Sequence, residues 1–143
     1  DTSPSMGLLT VNALIAAQHV VVPVSCEPLA IEGLLGLNQS IEKMRRGLQA
    51  SFQLTGILLT KYDRRTGLTA QVESQVRQRF GALVFAQTVG TNVRIAEAPA
   101  VRQSIRAYEG PEGRGAREYA AVADELLARV SGAEQTTQLV AAG

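Results

Sequence analysis

The segment from Thr60 to Thr66 gathers three cations, Lys61, Arg64 and Arg65, around one carboxylate, Asp63. Guanidinium groups are planar, two-pronged donors that match phosphate and carboxylate oxygens. Of the fourteen basic residues only Lys43 and Lys61 are lysines, a mild pointer to phosphate recognition and also a common consequence of a GC-rich genome. Other chemistries are poorly served. A phosphate loop of the form Gly-x-x-x-x-Gly-Lys-Ser/Thr holds phosphates with its backbone amides and its lysine. The sequence contains no Gly-Lys pair, which excludes a self-sufficient ATPase of that class for this chain as given. The single histidine, His19, begins an apolar stretch and supplies no base for a Ser-His-Asp hydrolase. Glu27 and Glu32 flank an apolar turn leading into a helix, where Glu32 serves better as a first-turn dipole partner than as half of a catalytic pair. Cys26, the lone cysteine, can neither form an internal disulfide nor hold a metal unaided, and is expected as a small core or strand-end residue.

The cation-rich loop needs a strand to present it. Leu54 to Thr60 is an apolar run too short for a helix and polar only at Thr55 and Thr60, the pattern of a strand buried on both faces. Leu8 to Ala17, apolar on most faces, predicts a buried helix, and His19 to Val24 a strand with Pro23 near its exit. Ile31, Leu34, Leu35, Ile41, Met44 and Leu48 recur at helical spacing, with Gly47 as a stop. Leu68, Val72, Val76 and Phe80 fall at fourth-residue spacing before Gly81, the clearest helix in the chain. Ala82 to Val89 reads as a third strand, Val93 to Ala98 as a helical turn that Pro99 discourages from continuing, and Ser104 to Tyr108 as a brief extended piece. After the glycine-rich turn at Gly110 to Gly115, Ala116 to Val130 is a terminal helix. Ser131 to Gly143 lacks a strong period and is expected to be frayed.

Helices alternating with strands in this order specify an α/β fold with a parallel sheet and right-handed crossovers. Ligands of such sheets sit at the carboxyl ends of the strands, which places function on Asp1 to Gly7, Cys26 to Glu32, Thr60 to Gly67 and Gly90 to Pro99. At 143 residues, 45% of them hydrophobic, the chain has the material for one domain that buries roughly 70% of its unfolded surface. No apolar run approaches the ~20 residues of a bilayer crossing. With a net charge of +1, any nucleic-acid binding must come from a local patch. The chain opens on Asp1 rather than methionine, inside what would normally be a motif following a strand, and so reads as a fragment.

Four blocks carry a resemblance: Asp1 to Leu14, Pro23 to Gly33, Gly56 to Thr66 and Asn92 to Pro99. In content, order and spacing they resemble the ParA/Soj chromosome and plasmid partition ATPases, over Asp1 to Val130. The resemblance implies a P-loop NTPase-like parallel sheet flanked by helices, with residues 1–130 the carboxyl-terminal part of one ParA-like ATPase domain and 131–143 a flexible tail. The deviant Walker A loop would lie in the missing amino-terminal part, so this chain is not expected to hydrolyse ATP alone. In the family Asp1, the Walker B aspartate, helps hold Mg²⁺ through water, and the Pro4-Ser5 loop senses the γ-phosphate of ATP. Thr60, Lys61 and Asp63 sit where a loop lies close to the nucleotide base. Gly90-Thr91-Asn92 stands where the family usually has Pro-Arg-Asn; only Asn92 is retained, which alters the base contact and removes one positive charge. For DNA the resemblance points to Arg65 and Arg94, both on exposed strand-end loops suited to sequence-independent phosphate contacts; the bland alternative is local pairing with Asp63 and Glu97.

The implied function is an ATP-switched partition protein. As an ATP-bound homodimer it binds DNA non-specifically in the cytoplasm, associated with the nucleoid, and segregates chromosome or plasmid DNA with a centromere-binding ParB/Spo0J-like partner. A MinD-like membrane-associated ATPase is a second reading. That group ends in a basic amphipathic helix, whereas Ser131 to Gly143 carries one glutamate and no lysine or arginine, so no membrane partner is expected. A third reading is an inactive truncated α/β scaffold.

Overall fold

The computed structural model describes residues 2, 7–48 and 52–141. In order these form α1 (Leu8–Ala16), β1 (His19–Ser25), α2 (Ala30–Leu48), β2 (Gln53–Thr60), α3 (Gly67–Phe80), α4 (Val93–Glu97), α5 (Ile105–Glu109) and α6 (Arg114–Ala141), with 3₁₀ turns at Gly81–Leu83 and Ala98–Val101. The fold is α/β, with β1 and β2 paired in parallel and flanked by helices. As expected of a strand covered on both faces, β2 sends alternate side chains into two apolar clusters. Ile57 and Leu59 pack with Val24, Cys26, Leu34, Val72, Val76 and Val84. Leu58 packs on the opposite side with Phe85, Val89 and Val122. Val72 and Val76 of the fourth-residue stripe are buried and Phe80 packs against the same cluster. Gly81 ends α3 with φ +53°, a conformation that glycine adopts at little cost.

Cys26 lies in this core, where burial foremost, and then the nearby Glu73 carboxylate, push its thiol up to about 11. Among the described residues β1 has β2 as its one sheet neighbour. The Cys26 N–H donates to the Thr60 carbonyl, so strand alternation turns Val24 and Val22 toward β2 and Pro23 away from it.

Four expectations need correction. The segment expected as a third strand, Ala82 to Val89, touches β2 only through isolated parallel bridges, Ile57 with Val84 and Tyr62 with Gly90. Phe85 N–H donates to Ile57 O at 2.9 Å and Val89 N–H to Leu59 O at 2.9 Å, so the segment spends residues 85 to 89 where β2 spends 57 to 59. The surplus backbone bulges outward, and Glu125 of α6 takes its free donors, Ala86 N–H at 3.0 Å and Gln87 N–H at 3.1 Å. Ser104 to Tyr108 is helical rather than extended because the Ser104 hydroxyl accepts the Ala107 N–H at 3.2 Å and caps α5. Helix α1 is not buried among the described residues: Leu8 and Leu9 are 82% and 85% exposed. Helix α6 continues past the expected Val130 to Ala141.

A second irregularity lies in β2 itself. The register passes from Val20 opposite Leu54 to Val21 opposite Gly56, leaving Thr55 as the extra residue of a bulge. Its hydroxyl meets His19 Nδ1 at 2.9 Å and its carbonyl accepts from Arg129 Nη1 at 3.0 Å. Arg129 also donates to Leu83 O at 3.2 Å and Val84 O at 3.0 Å, pairs with Glu125 at 2.7 Å and lies 4.4 Å over the Phe85 ring. Beside this cluster, a Cβ on Gly56 would come within 2.3 Å of Phe85 Cε2. Gly56→Ala is therefore expected to destabilise the fold by about 1–3 kcal/mol, the usual range for overpacking, as a lower urea midpoint at an unchanged m-value.

Glu125 carries the corresponding pH dependence. Desolvation alone would raise its carboxyl, but the Ala86 and Gln87 amides and Arg129 outweigh it and hold the group below the ordinary range. Its contribution is complete above the unfolded-state value and is lost as pH falls through the lower folded one. Thermal melts taken downward from pH 7 should show an acid loss that Glu125→Gln reduces.

Candidate anion-binding cleft

β2 ends at Thr60, and Lys61 follows with φ +51°, the left-handed region that non-glycine residues seldom occupy. That turn delivers Tyr62 to the partner segment: Tyr62 N–H donates to Val89 O at 3.1 Å and Thr91 N–H to Tyr62 O at 3.0 Å. Gly90 eases the approach, since a Cβ there would sit 3.3 Å from a Glu118 oxygen and 3.4 Å from Tyr62 O, a tight fit that would need the Glu118 side chain to give slightly. Its own N–H donates to Glu118 Oε2 at 2.8 Å. Two loops that are distant in sequence thus leave the sheet side by side. Between them opens a cleft of about 540 Å³ lined by arginines 64, 65, 94 and 114, with Asp63 and Glu118 as its carboxylates.

Each wall has its own anchor. Asp63 fixes the first: its Oδ1 accepts both the Arg65 N–H and Arg65 Nε at 3.0 Å, and its Oδ2 accepts Arg65 Nη2 at 2.8 Å. Foremost the guanidinium, and then the amide, lower its carboxyl to about 2. The Asp63 carbonyl takes Thr66 N–H and the Thr69 hydroxyl, tying the loop to the first turn of α3.

Asn92 fixes the second wall. Its Oδ1 caps α4 by accepting the Arg94 N–H at 3.0 Å, and its Nδ2 donates to Glu109 at 2.7 Å. The other Glu109 oxygen accepts Gly115 N–H at 2.8 Å and Ala116 N–H at 3.3 Å, so one carboxylate ties α4 to the amino-terminal end of α6. A Cβ on Gly113 would stand 2.3 Å from Glu109 Cβ, which is why the turn before α6 is glycine there. Arg94 lies 5.9 Å from the Tyr108 ring centroid, and Arg114 donates to Thr91 O.

The expected site residues divide accordingly. Asp63, Arg65, Asn92 and Arg94 line the one cleft. Thr60 ends β2 behind it, and Lys61 points elsewhere, reaching the exposed Glu27 at 3.4 Å. Asp1, Pro4 and Ser5 lie outside the described residues. Of the local pairings weighed for the two arginines, Arg65 with Asp63 is present. Glu97 instead accepts the Tyr108 hydroxyl at 3.1 Å, and among the described residues Arg94 forms no ion pair at contact distance. Arg114 and Glu118 are not among the expected site residues, because Arg114 falls within the glycine-rich turn at Gly110 to Gly115 and Glu118 within the helix after it, both away from the strand ends. An arginine at the first turn of α6, immediately after a glycine-rich turn, was the available signal.

Known proteins bear directly on this arrangement. A family model described as an AAA domain matches residues 1–54. The chromosome-partitioning ATPase Soj of Thermus thermophilus is 48% identical over 130 residues, covering 91% of this chain and 52% of that protein. The chromosome partitioning protein ParA of Caulobacter vibrioides is 40% identical over 129 residues, 90% of this chain and 48% of its own length. This chain is a relative of the ParA/Soj partition ATPases. A third relative, the sporulation initiation inhibitor protein Soj of Bacillus subtilis, is 41% identical over 128 residues, 90% of this chain and 50% of that protein. The chain spans about half the length of the curated relatives it matches. Among the described residues no helix is long and apolar enough to cross a membrane.

The Glu109 anchor makes a prediction. The Asn92 amide above all, then the Ala116 and Gly115 N–H groups and the Arg94 charge, hold its carboxyl below the ordinary range. Its hold on α4 is complete above the unfolded-state value and is lost as pH falls through the folded one. Glu109→Ala at neutral pH should lower the amide hydrogen-exchange protection factors of Arg94 and Gly115 together, and acidification of the unaltered protein should lower the same two protection factors once intrinsic rates at each pH are divided out.

Proposed function

We propose that this chain is part of an ATP-switched partition protein that binds DNA without sequence preference as an ATP-bound dimer. It segregates chromosome or plasmid DNA with a centromere-binding ParB/Spo0J-like partner, in the cytoplasm on the nucleoid. One observation carries the reading: Arg65 and Arg94, which the resemblance assigns to DNA, line a single arginine-rich cleft at the strand ends, in a chain 48% identical to a chromosome-partitioning ATPase. Phosphodiester oxygens are the ligands that such a cleft suits. Guanidinium groups on exposed loops give register-free contacts whose strength comes from counterion release.

ATP and Mg²⁺ enter at the level of the intact protein. Asp1, Pro4 and Ser5, the metal and γ-phosphate positions in this reading, lie outside the described residues. Among the described residues no three His, Cys, Asp or Glu side chains gather to hold a cation. On the base side, Thr60, Lys61, Asp63 and Asn92 stand on the two loops that the reading places near adenine. The Asn92 side chain is engaged at both ends by Arg94 N–H and Glu109, so its part there is to hold the loop's shape. The described residues themselves bind and orient the polyanion.

In the intact ATP-loaded protein, Arg65→Glu and Arg94→Glu should each weaken binding to a random-sequence duplex by about ten-fold or more. Each should also make the dependence of log K on log salt shallower by about one, as expected for a lost phosphate contact. Fluorescence anisotropy across a salt series measures both quantities; unchanged affinity and slope would remove the two arginines from the interface.

A further inference from the structure

The cleft contains a carboxylate that occupies the position its ligand needs. Asp63 grips Arg65 in a two-pronged pair, Nε to Oδ1 at 3.0 Å and Nη2 to Oδ2 at 2.8 Å. Two non-bridging phosphate oxygens would take the same geometry. The partners differ in freedom. The Arg65 side chain is 87% exposed, whereas that of Asp63 is 26% exposed. The Asp63 backbone is also held by Thr66 N–H at 3.2 Å and by the Thr69 hydroxyl at 2.5 Å. With its carboxyl lowered to about 2, Asp63 is an anion throughout the neutral range. By contrast Arg94, on the facing wall, forms no ion pair at contact distance among the described residues, and its charge reaches Glu109 only from further away.

Resting on the reading of this cleft as a phosphodiester site, we propose that Asp63 is a built-in competitor that masks Arg65, so that a phosphate engages this arginine only by displacing it from Asp63. Arg94 is then the standing contact, and Arg65 a conditional one that swings from carboxylate to phosphate when the polyanion is already seated. Asp63 regulates the affinity of the site without touching the ligand.

Asparagine separates the two roles of Asp63. Its side-chain oxygen can still accept the Arg65 N–H and keep the turn, while the charge that holds the guanidinium is gone. In the intact ATP-loaded protein, Asp63→Asn should bind a random-sequence duplex about two- to five-fold more tightly, the scale of an exposed ion pair. That gain should vanish when Asp63→Asn is introduced into an Arg65→Gln background. Unchanged or weaker binding by the single variant, with native circular dichroism, would overturn the proposal, because Asp63 would then be aligning Arg65 rather than masking it. A gain that persists in the Arg65→Gln background would also overturn it, since the effect would be net charge alone.

If neither the parent nor the variant binds DNA, the reading of the cleft falls. Tripolyphosphate titration followed by the arginine Nε–H resonances then decides the competition by itself. Saturation of the Arg65 signal at several-fold lower tripolyphosphate in Asp63→Asn supports masking, and equal saturation refutes it.

Discussion

The ion pair of Glu125 and Arg129 on α6 satisfies backbone groups that two other elements leave open. The bulge at Thr55 gives up a cross-strand carbonyl, and the surplus residues after Phe85 give up two N–H groups; Arg129 takes the first and Glu125 the others. Both side chains are about one-fifth exposed. Loss of either would strand its partner's charge together with several backbone dipoles, the costly case for a desolvated pair. Because α6 supplies these bonds, the chain after α3 need not form a regular strand. It can leave the sheet at Gly90, beside Tyr62, and that exit makes the cleft.

The cleft concentrates charge that the whole molecule does not display. Four arginines against two carboxylates leave it at 4 − 2 = +2, while the complete chain carries +1. The rest of the surface is therefore near neutrality or slightly acidic. Under the proposed reading, a polyanion would meet its strongest attraction at this one region of the strand ends, which would orient its approach as well as strengthen it.

What the sequence disclosed were the features set by local periodicity. The Val72 and Val76 stripe, the Gly81 stop and the two-faced burial of Leu54 to Thr60 all appear in the structure. What it concealed depended on distant partners. Ala82 to Val89 has strand composition, and only Glu125, far along the chain, explains why its amides turn away from β2. The helix at Ile105–Glu109 hinged on one serine cap in a stretch too short for periodicity to show. For the site, strand-end logic located the loops of Arg65 and Arg94. The Asp63 grip on Arg65 was legible as one of two alternatives because the residues are near neighbours. The tie from Asn92 through Glu109 to α6 was not legible, since its members are scattered over three elements.

The outward-facing nitrogen of Pro23 bears on how this chain behaves in a crowded solution. A bare parallel strand offers a row of donors and acceptors on which any extended peptide can zip up, the usual seed of sheet-to-sheet aggregation. On β1 that row is broken toward its carboxyl end, because the proline ring occupies the place where a donor would point away from β2. Among the described residues, where β2 is the one neighbour of β1, a strand approaching from the other side would have to skip a bond there and step around the ring.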